Sequence, residues 1–166
     1  MLTKAYDPAA AALAAVADWT APSPCDGWTV RDVANHLVDA MCFFAAAVDG
    51  GPDAYRGDDL VRAYRDAADR CLAVYGDPAV LAASHPFPFG DTPGSVIARI
   101  SVSESLVHGW DVARGAGVPY TPAPEVVASV LAEVGPPPAA GMYAPPVEPA
   151  SDEPMTVLLA KLGRVA

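Results

Sequence analysis

The chain has 166 residues, 52% hydrophobic and 18% charged. That length and balance suit one domain with a sizeable core and exclude a disordered chain. The formal net charge is −10 and the pI about 4.4, so the surface repels phosphate backbones and no nucleic-acid partner is expected. No apolar run is long enough to span a bilayer, and no membrane partner is expected.

Alanine supplies much of the apolar count and favours helices, because it loses no side-chain entropy on ordering. The start MLTKAYDPAA lacks the basic flank and apolar core of a secretion signal, which makes the cytoplasm the expected location. A first helix is predicted from Asp7-Pro8, with Asp as cap and Pro in the first turn, running to about Trp19. APSPCDGW then reads as a loop. A second helix is predicted from Thr29, with Asp32 in its first turn, to about Val48. Val33, Leu37, Ala40, Met41 and Phe44 recur along it at helical spacing.

A third helix fits Asp58 to Tyr75, ended by Gly76 and Pro78. HPFPFGDTPG is the second major loop. A long fourth helix starts about Pro93 and is ended by Gly115 or Gly117. A short helix follows at Glu125–Glu133, then the Pro-rich PPPAAGMYAPPVEP, read as an ordered or semi-extended strap. A last helix spans about Asp152 to Leu162, with Ser151 as cap. No segment alternates convincingly as a strand. The expected fold is all-α: a single domain over 1–166 in which four main helices form a four-helix bundle, with a short extra helix and a C-terminal extension.

The three cysteines, Cys25, Cys42 and Cys71, form no CxxC pair. Cys42 and Cys71 read as reduced thiols packed like small hydrophobes, and Cys25 falls in a loop. No phosphate loop or GxSxG elbow is present, and GAGVPY follows a helix instead of opening one, so it is no dinucleotide fingerprint.

The histidines carry the chemistry. His36 lies on the second helix near its apolar face, where a histidine is most often a satisfied core residue. Glu104 and His108, four residues apart, share one face of the fourth helix with Ile97, Ile100 and Asp111. A carboxylate on an apolar stripe is costly to bury without compensation. A hydrogen bond from His108 would supply it, and a divalent cation would supply it better. Asp111 and Arg114 lie one turn beyond His108. They read either as a surface pair or as catalytic groups, Asp111 handling a proton and Arg114 clamping a carboxylate. Asn35 points about 100° away from His36. Trp28 and Trp110 read as packing residues near the same end of the bundle, and His85 as an exposed loop residue.

The segments SPCDGWTVRDVANHLV and ESLVHGWDVARGAG resemble the DinB-like superfamily. More closely, they resemble the N-terminal domain of mycothiol-dependent maleylpyruvate isomerase and its short stand-alone metal-binding relatives. HPFPFGDTPGSV and the tail LLAKLGR extend the likeness over nearly the whole chain. The resemblance implies a DinB-like four-helix bundle with a divalent metal at one end of its core. The ligands in the family are a His of the second helix and a Glu-x-x-x-His pair of a later one. Those positions are filled here by His36, Glu104 and His108.

Two imidazoles and one carboxylate suit zinc, with nickel, manganese and iron as alternatives, and three protein ligands leave a position open. The resemblance further implies mycothiol or another small thiol as cofactor. The full isomerase carries a second domain after the bundle, and this sequence ends soon after it. The expected function is therefore stated generally: a metal-dependent, low-molecular-weight-thiol-using transferase or isomerase acting on a small electrophilic molecule, in a chain that pairs as a homodimer. A thiol-independent cyclase, hydrolase or lyase of specialised metabolism, and a non-catalytic metal- or ligand-binding protein, stay open as alternatives.

Overall fold

In the computed structural model, which describes residues 1–134 and 144–166, side-chain caps from Thr29, Asp59 and Asp77 open three of the described helices. The first helix, α1, runs Leu2–Ala15, longer at its start and shorter at its end than its sequence suggests. Pro8 sits inside it, tolerated because Ala5, Tyr6, Ala9, Ala12 and Leu13 form a continuous buried face around it. The expected continuation to Trp19 fails for a specific reason. Trp19 and Ala21 give their carbonyls to the N–H groups of Arg31 and Val30, which open the next helix and lack partners within it. Asp18 also accepts from the N–H and hydroxyl of Thr20, closing a local turn.

Helix α2 covers Val30–Asp49, with Thr29 and Asp32 forming a reciprocal capping box. Helix α3, Leu60–Tyr75, is capped by the Asp59 carboxylate on the N–H of Arg62. A one-turn helix α4, Pro78–Ala82, follows, and then a two-residue antiparallel ladder of β1 (Ser84–His85) with β2 (Thr92–Pro93). This ladder is all the strand structure in named elements among the described residues. It turns the HPFPFGDTPG loop into a short hairpin. Helix α5, Gly94–Ala116, ends at Gly117, whose φ of +66° is open to glycine at little cost.

Residues Met1–Tyr120 form one compact unit. Within it α1 packs between α3 and α5, and α2 packs between the same two helices, so the four main helices close a ring. Leu13, Leu37, Met41, Ile97 and Leu106 are fully buried at its centre. Each such side chain contributes about 1.5–3 kcal/mol of transfer free energy. Cys42 and Cys71 are buried as expected.

The core also carries a polar line along α5 that the apolar periodicity hid. Ser101 and Ser105 are fully buried. Tyr6 Oη and Ser101 Oγ lie 2.6 Å apart, and Tyr64 Oη donates to Ser105 Oγ at 3.0 Å. Among the described residues no buried side-chain polar atom lacks a partner.

A second unit, Thr121–Ala166, contains α6 (Pro124–Glu133) and α7 (Pro154–Lys161), packed on each other. Both start on a proline at the first helical position, where the missing N–H costs nothing. This places the start of α7 at Pro154 instead of Asp152, with Glu153 as its cap in place of Ser151. Most of the expected Pro-rich strap falls on 135–143 and lies outside the described residues. No helix among the described residues is long and apolar enough to cross a membrane.

Candidate metal centre

Two helices bring the three sequence-predicted ligands together. The start of α2 lies beside the end of α5, as the close approach of Val30 to Gly115 shows. His36 stands roughly 9 Å along α2 from its first residue, at a rise of about 1.5 Å per residue. Glu104 and His108 stack on α5 at i, i+4.

Nε2 of His36 and Nε2 of His108 each lie 3.4 Å from the same atom, Oε2 of Glu104. The two rings are 4.8 Å apart between centroids and inclined at 80°. One donor atom from each of the three residues falls within 4.8 Å of the others.

The two nitrogen–oxygen distances are compatible with a shared ion. A charge-assisted N–H···O bond would be about 2.7–2.9 Å long. Bonds of about 2.0–2.1 Å at tetrahedral angles around one ion place neighbouring donors roughly 3.3–3.4 Å apart. The observed 3.4 Å fits the second case, and the donor set of two imidazoles and a carboxylate fits zinc chemistry.

The other nitrogen of His108 is fixed from behind. Its Nδ1 donates to Oδ2 of Asp111 at 2.9 Å, and Asp111 is fully buried. That bond holds the Nδ1 side of the ring on the carboxylate and turns Nε2 toward Glu104, where it could serve as a ligand to a shared ion. His36 has no such cover. Its side chain is 41% exposed, against 10% for His108 and 18% for Glu104, so the cluster opens to solvent on the His36 side. Sequence periodicity put His36 near the apolar face; the structure puts it at that face's edge, with the Trp28 ring edge-on to it at 5.5 Å.

The remaining candidates separate. Asp111 lies at the cluster but faces inward, which removes it from any surface pair with Arg114. Arg114 and Asn35 are exposed, and Trp110 is half-buried. His85 is half-buried, its Nε2 3.0 Å from the carbonyl of Val80, where it ties the hairpin to α4 instead of standing free. Cys25, which the sequence reading left unassigned, is half-buried with its Sγ 3.4 Å from Oδ2 of Asp111. No sequence signal joins two residues 86 positions apart, so only the tertiary fold reveals that contact.

The profile of the family described as "Mycothiol maleylpyruvate isomerase N-terminal domain" matches residues 2–113. Two proteins of Mycobacterium tuberculosis are similar over most of their length: Uncharacterized protein Rv0738 of strain H37Rv and Uncharacterized protein MT0763 of strain CDC 1551. Each is 32% identical over 139 residues, covering 80% of this chain and 72% of the relative. No solved structure matches.

Proposed function

From the premise that the chain belongs to the mycothiol maleylpyruvate isomerase N-terminal domain family, we propose that it is a metal-dependent enzyme that uses a small thiol to act on a small electrophile, as a transferase or an isomerase. The observation that carries this reading is the convergence of His36 Nε2 and His108 Nε2 on Glu104 Oε2, open to solvent on one side. Those three residues would hold the ion, and their chemistry favours zinc. Bound there, the ion supplies the Lewis acidity that keeps a thiol in its nucleophilic thiolate form at neutral pH. Mycothiol, which the family description names, is the first thiol to test.

The chain's own residues supply the rest. Asp111 holds the Nδ1 proton of His108 and so keeps that ring's Nε2 facing the cluster. In this reading its catalytic contribution is orientation, because a fully buried carboxylate has no direct path to a substrate. Trp28 covers one edge of His36 and narrows the open side. Arg114, exposed one turn beyond Asp111, offers a guanidinium for a carboxylate of the thiol or of the electrophile. The thiolate would add to one carbon of a conjugated double bond, breaking its π bond and sending that electron pair onto the conjugated carbonyl oxygen as an enolate. Protonation of the neighbouring carbon, with the proton the thiol gave up, yields a thioether; rotation about the resulting single bond and expulsion of the thiolate as the π bond re-forms yields an isomer.

The test is to incubate zinc-loaded protein with a panel of small thiols and unsaturated or strained electrophiles, following loss of both partners. Turnover that requires a thiol and disappears in Glu104→Ala supports the proposal. Turnover without any thiol favours the cyclase, hydrolase or lyase alternative. Tight binding of a ligand without turnover favours a binding protein.

A further inference from the structure

The loop between α1 and α2 reaches the His36 imidazole through Trp28 and the Asp111 carboxylate behind His108 through Cys25. The N–H and the hydroxyl of Ser23 both donate to the carbonyl of Trp28, at 2.9 and 2.8 Å, and the N–H of Trp28 donates to the carbonyl of Cys25 at 3.0 Å. These bonds close a compact turn. Gly115 lets the turn lie against α5: a Cβ there would sit 2.9 Å from the carbonyl oxygen of Pro22 and 2.7 Å from Val30 Cγ2. So placed, the turn sets Trp28 beside His36 and Cys25 beside Asp111.

The Cys25 thiol donates to Oδ2 of Asp111, the same oxygen that accepts from His108 Nδ1. Asp111 is fully buried, and a buried carboxylate depends on the donors around it. A second ion between Cys25, Asp111 and His108 is the rival reading, since their donor atoms also lie within 4.8 Å of one another. The distance argues against it. The 2.9 Å between Nδ1 and Oδ2 is a hydrogen-bond length, shorter than the separation of about 3.3–3.4 Å that a tetrahedral ion imposes on its donors.

We propose that Cys25 is a positioning residue of the metal centre. Its thiol holds the Asp111 carboxylate, and the carboxylate holds the His108 ring with Nε2 toward Glu104. This rests on the metal reading given above. Cys25 acts through Asp111 and not on the ion. Its backbone is anchored separately, its N–H donating to Ser23 Oγ at 3.2 Å, so a changed side chain leaves the turn in place.

The test measures cobalt(II) and zinc affinity of the full chain, of Cys25→Ser and of Cys25→Ala. The cobalt absorption bands report coordination, and thermal unfolding without metal reports packing. Outer-shell partners of ligating histidines are worth 10–100-fold in affinity, and Cys25 stands one bond further out, so Cys25→Ala is expected to weaken binding about tenfold and shift the cobalt bands. Cys25→Ser keeps a hydroxyl donor and is expected to stay within about threefold of the parent, with parental bands. Capping the parent's thiol as its methyl disulfide, which buried Cys42 and Cys71 escape, should reproduce the alanine variant.

If the parent binds no ion, the underlying metal reading fails and this inference falls with it. If the parent binds and Cys25→Ala binds equally well, the inference alone falls. A serine variant as weak as the alanine variant, with matching thermal destabilisation, assigns Cys25 to packing and also overturns it. Should the alanine variant not fold, unchanged cobalt affinity in the capped parent overturns it instead.

Discussion

The rings of His36 and His108 stand 4.8 Å apart and nearly perpendicular, each presenting Nε2 to Oε2 of Glu104 at 3.4 Å. Stacked rings could not both aim a lone pair at one point, whereas crossed rings from two helices can. The relationship depends on the packing of α2 against α5 and tests directly as a ligand set.

Purified protein is expected to carry about one equivalent of divalent metal, and His36→Ala, Glu104→Ala and His108→Ala are each expected to lose it. Elemental analysis checks this. Parent protein that stays metal-free after incubation with zinc, nickel and manganese would leave the three residues as acid–base or hydrogen-bonding groups.

Asp111→Ala leaves the Nδ1–H of buried His108 without its acceptor. The expected loss is about 1–3 kcal/mol in urea unfolding of the metal-free protein. Metal affinity should also fall 10–100-fold, read by competition with a chelator. Asp111→Asn retains an acceptor oxygen and should lose less on both counts. Parental stability and affinity in the alanine variant would contradict the orienting role.

Alkaline pH should destabilise the protein. Burial pushes the phenols of Tyr6, Tyr64, Tyr75 and Tyr120 far above their ordinary value, and pushes the Cys71 thiol up to about 12. These groups are raised in the folded state, so their contribution is complete below the unfolded pKa values, near 9 for the thiol and 10 for the phenols. It is lost as pH climbs toward the folded values, because the unfolded chain then binds fewer protons than the native one. Urea midpoints should fall from about pH 9 upward, and less steeply in Cys71→Ala. A flat profile to pH 11 would refute this.

The short contact between Tyr6 and Ser101 links α1 to α5 inside the core. Tyr6→Phe alone and Ser101→Ala alone should each destabilise by about 1 kcal/mol or more, since each disrupts a buried hydrogen-bond pair. The double variant should cost less than the sum, giving a coupling of roughly 0.5–1.5 kcal/mol in a double-mutant cycle. Strict additivity would mean that the pair contributes nothing specific.

Thr29→Ala removes half of the capping box that opens α2. The expected cost is about 1 kcal/mol of global stability, measured by chemical unfolding.

Much of this protein is legible in the chain. Thr29 with Asp32 and Gly117 after Ala116 mark helix ends by local chemistry alone, whereas α3 starts at Leu60 on an Asp59 cap instead of at Asp58. The 3.6-residue period picks out Val33, Leu37, Met41 and Phe44 as a buried face. The i, i+4 pair Glu104–His108 is local too. Two further features were decided by distant contacts. Helix α1 stops at Ala15 because Trp19 and Ala21 serve α2, and Ser101 and Ser105 enter the core because tyrosines of α1 and α3 meet them there.

The sequence by itself determined the main helices and the pairing of Glu104 with His108 on one helix face, because caps, periodicity and i, i+4 stacking act within a few residues, while His36 joined them as a candidate ligand through the family resemblance. Only the tertiary structure decided that His36 is the solvent-facing member of the trio, that Asp111 turns inward to His108, and that Cys25 reaches Asp111. Those outcomes depend on how closely α2, α5 and the intervening loop approach, and that is set by packing between residues far apart in the chain.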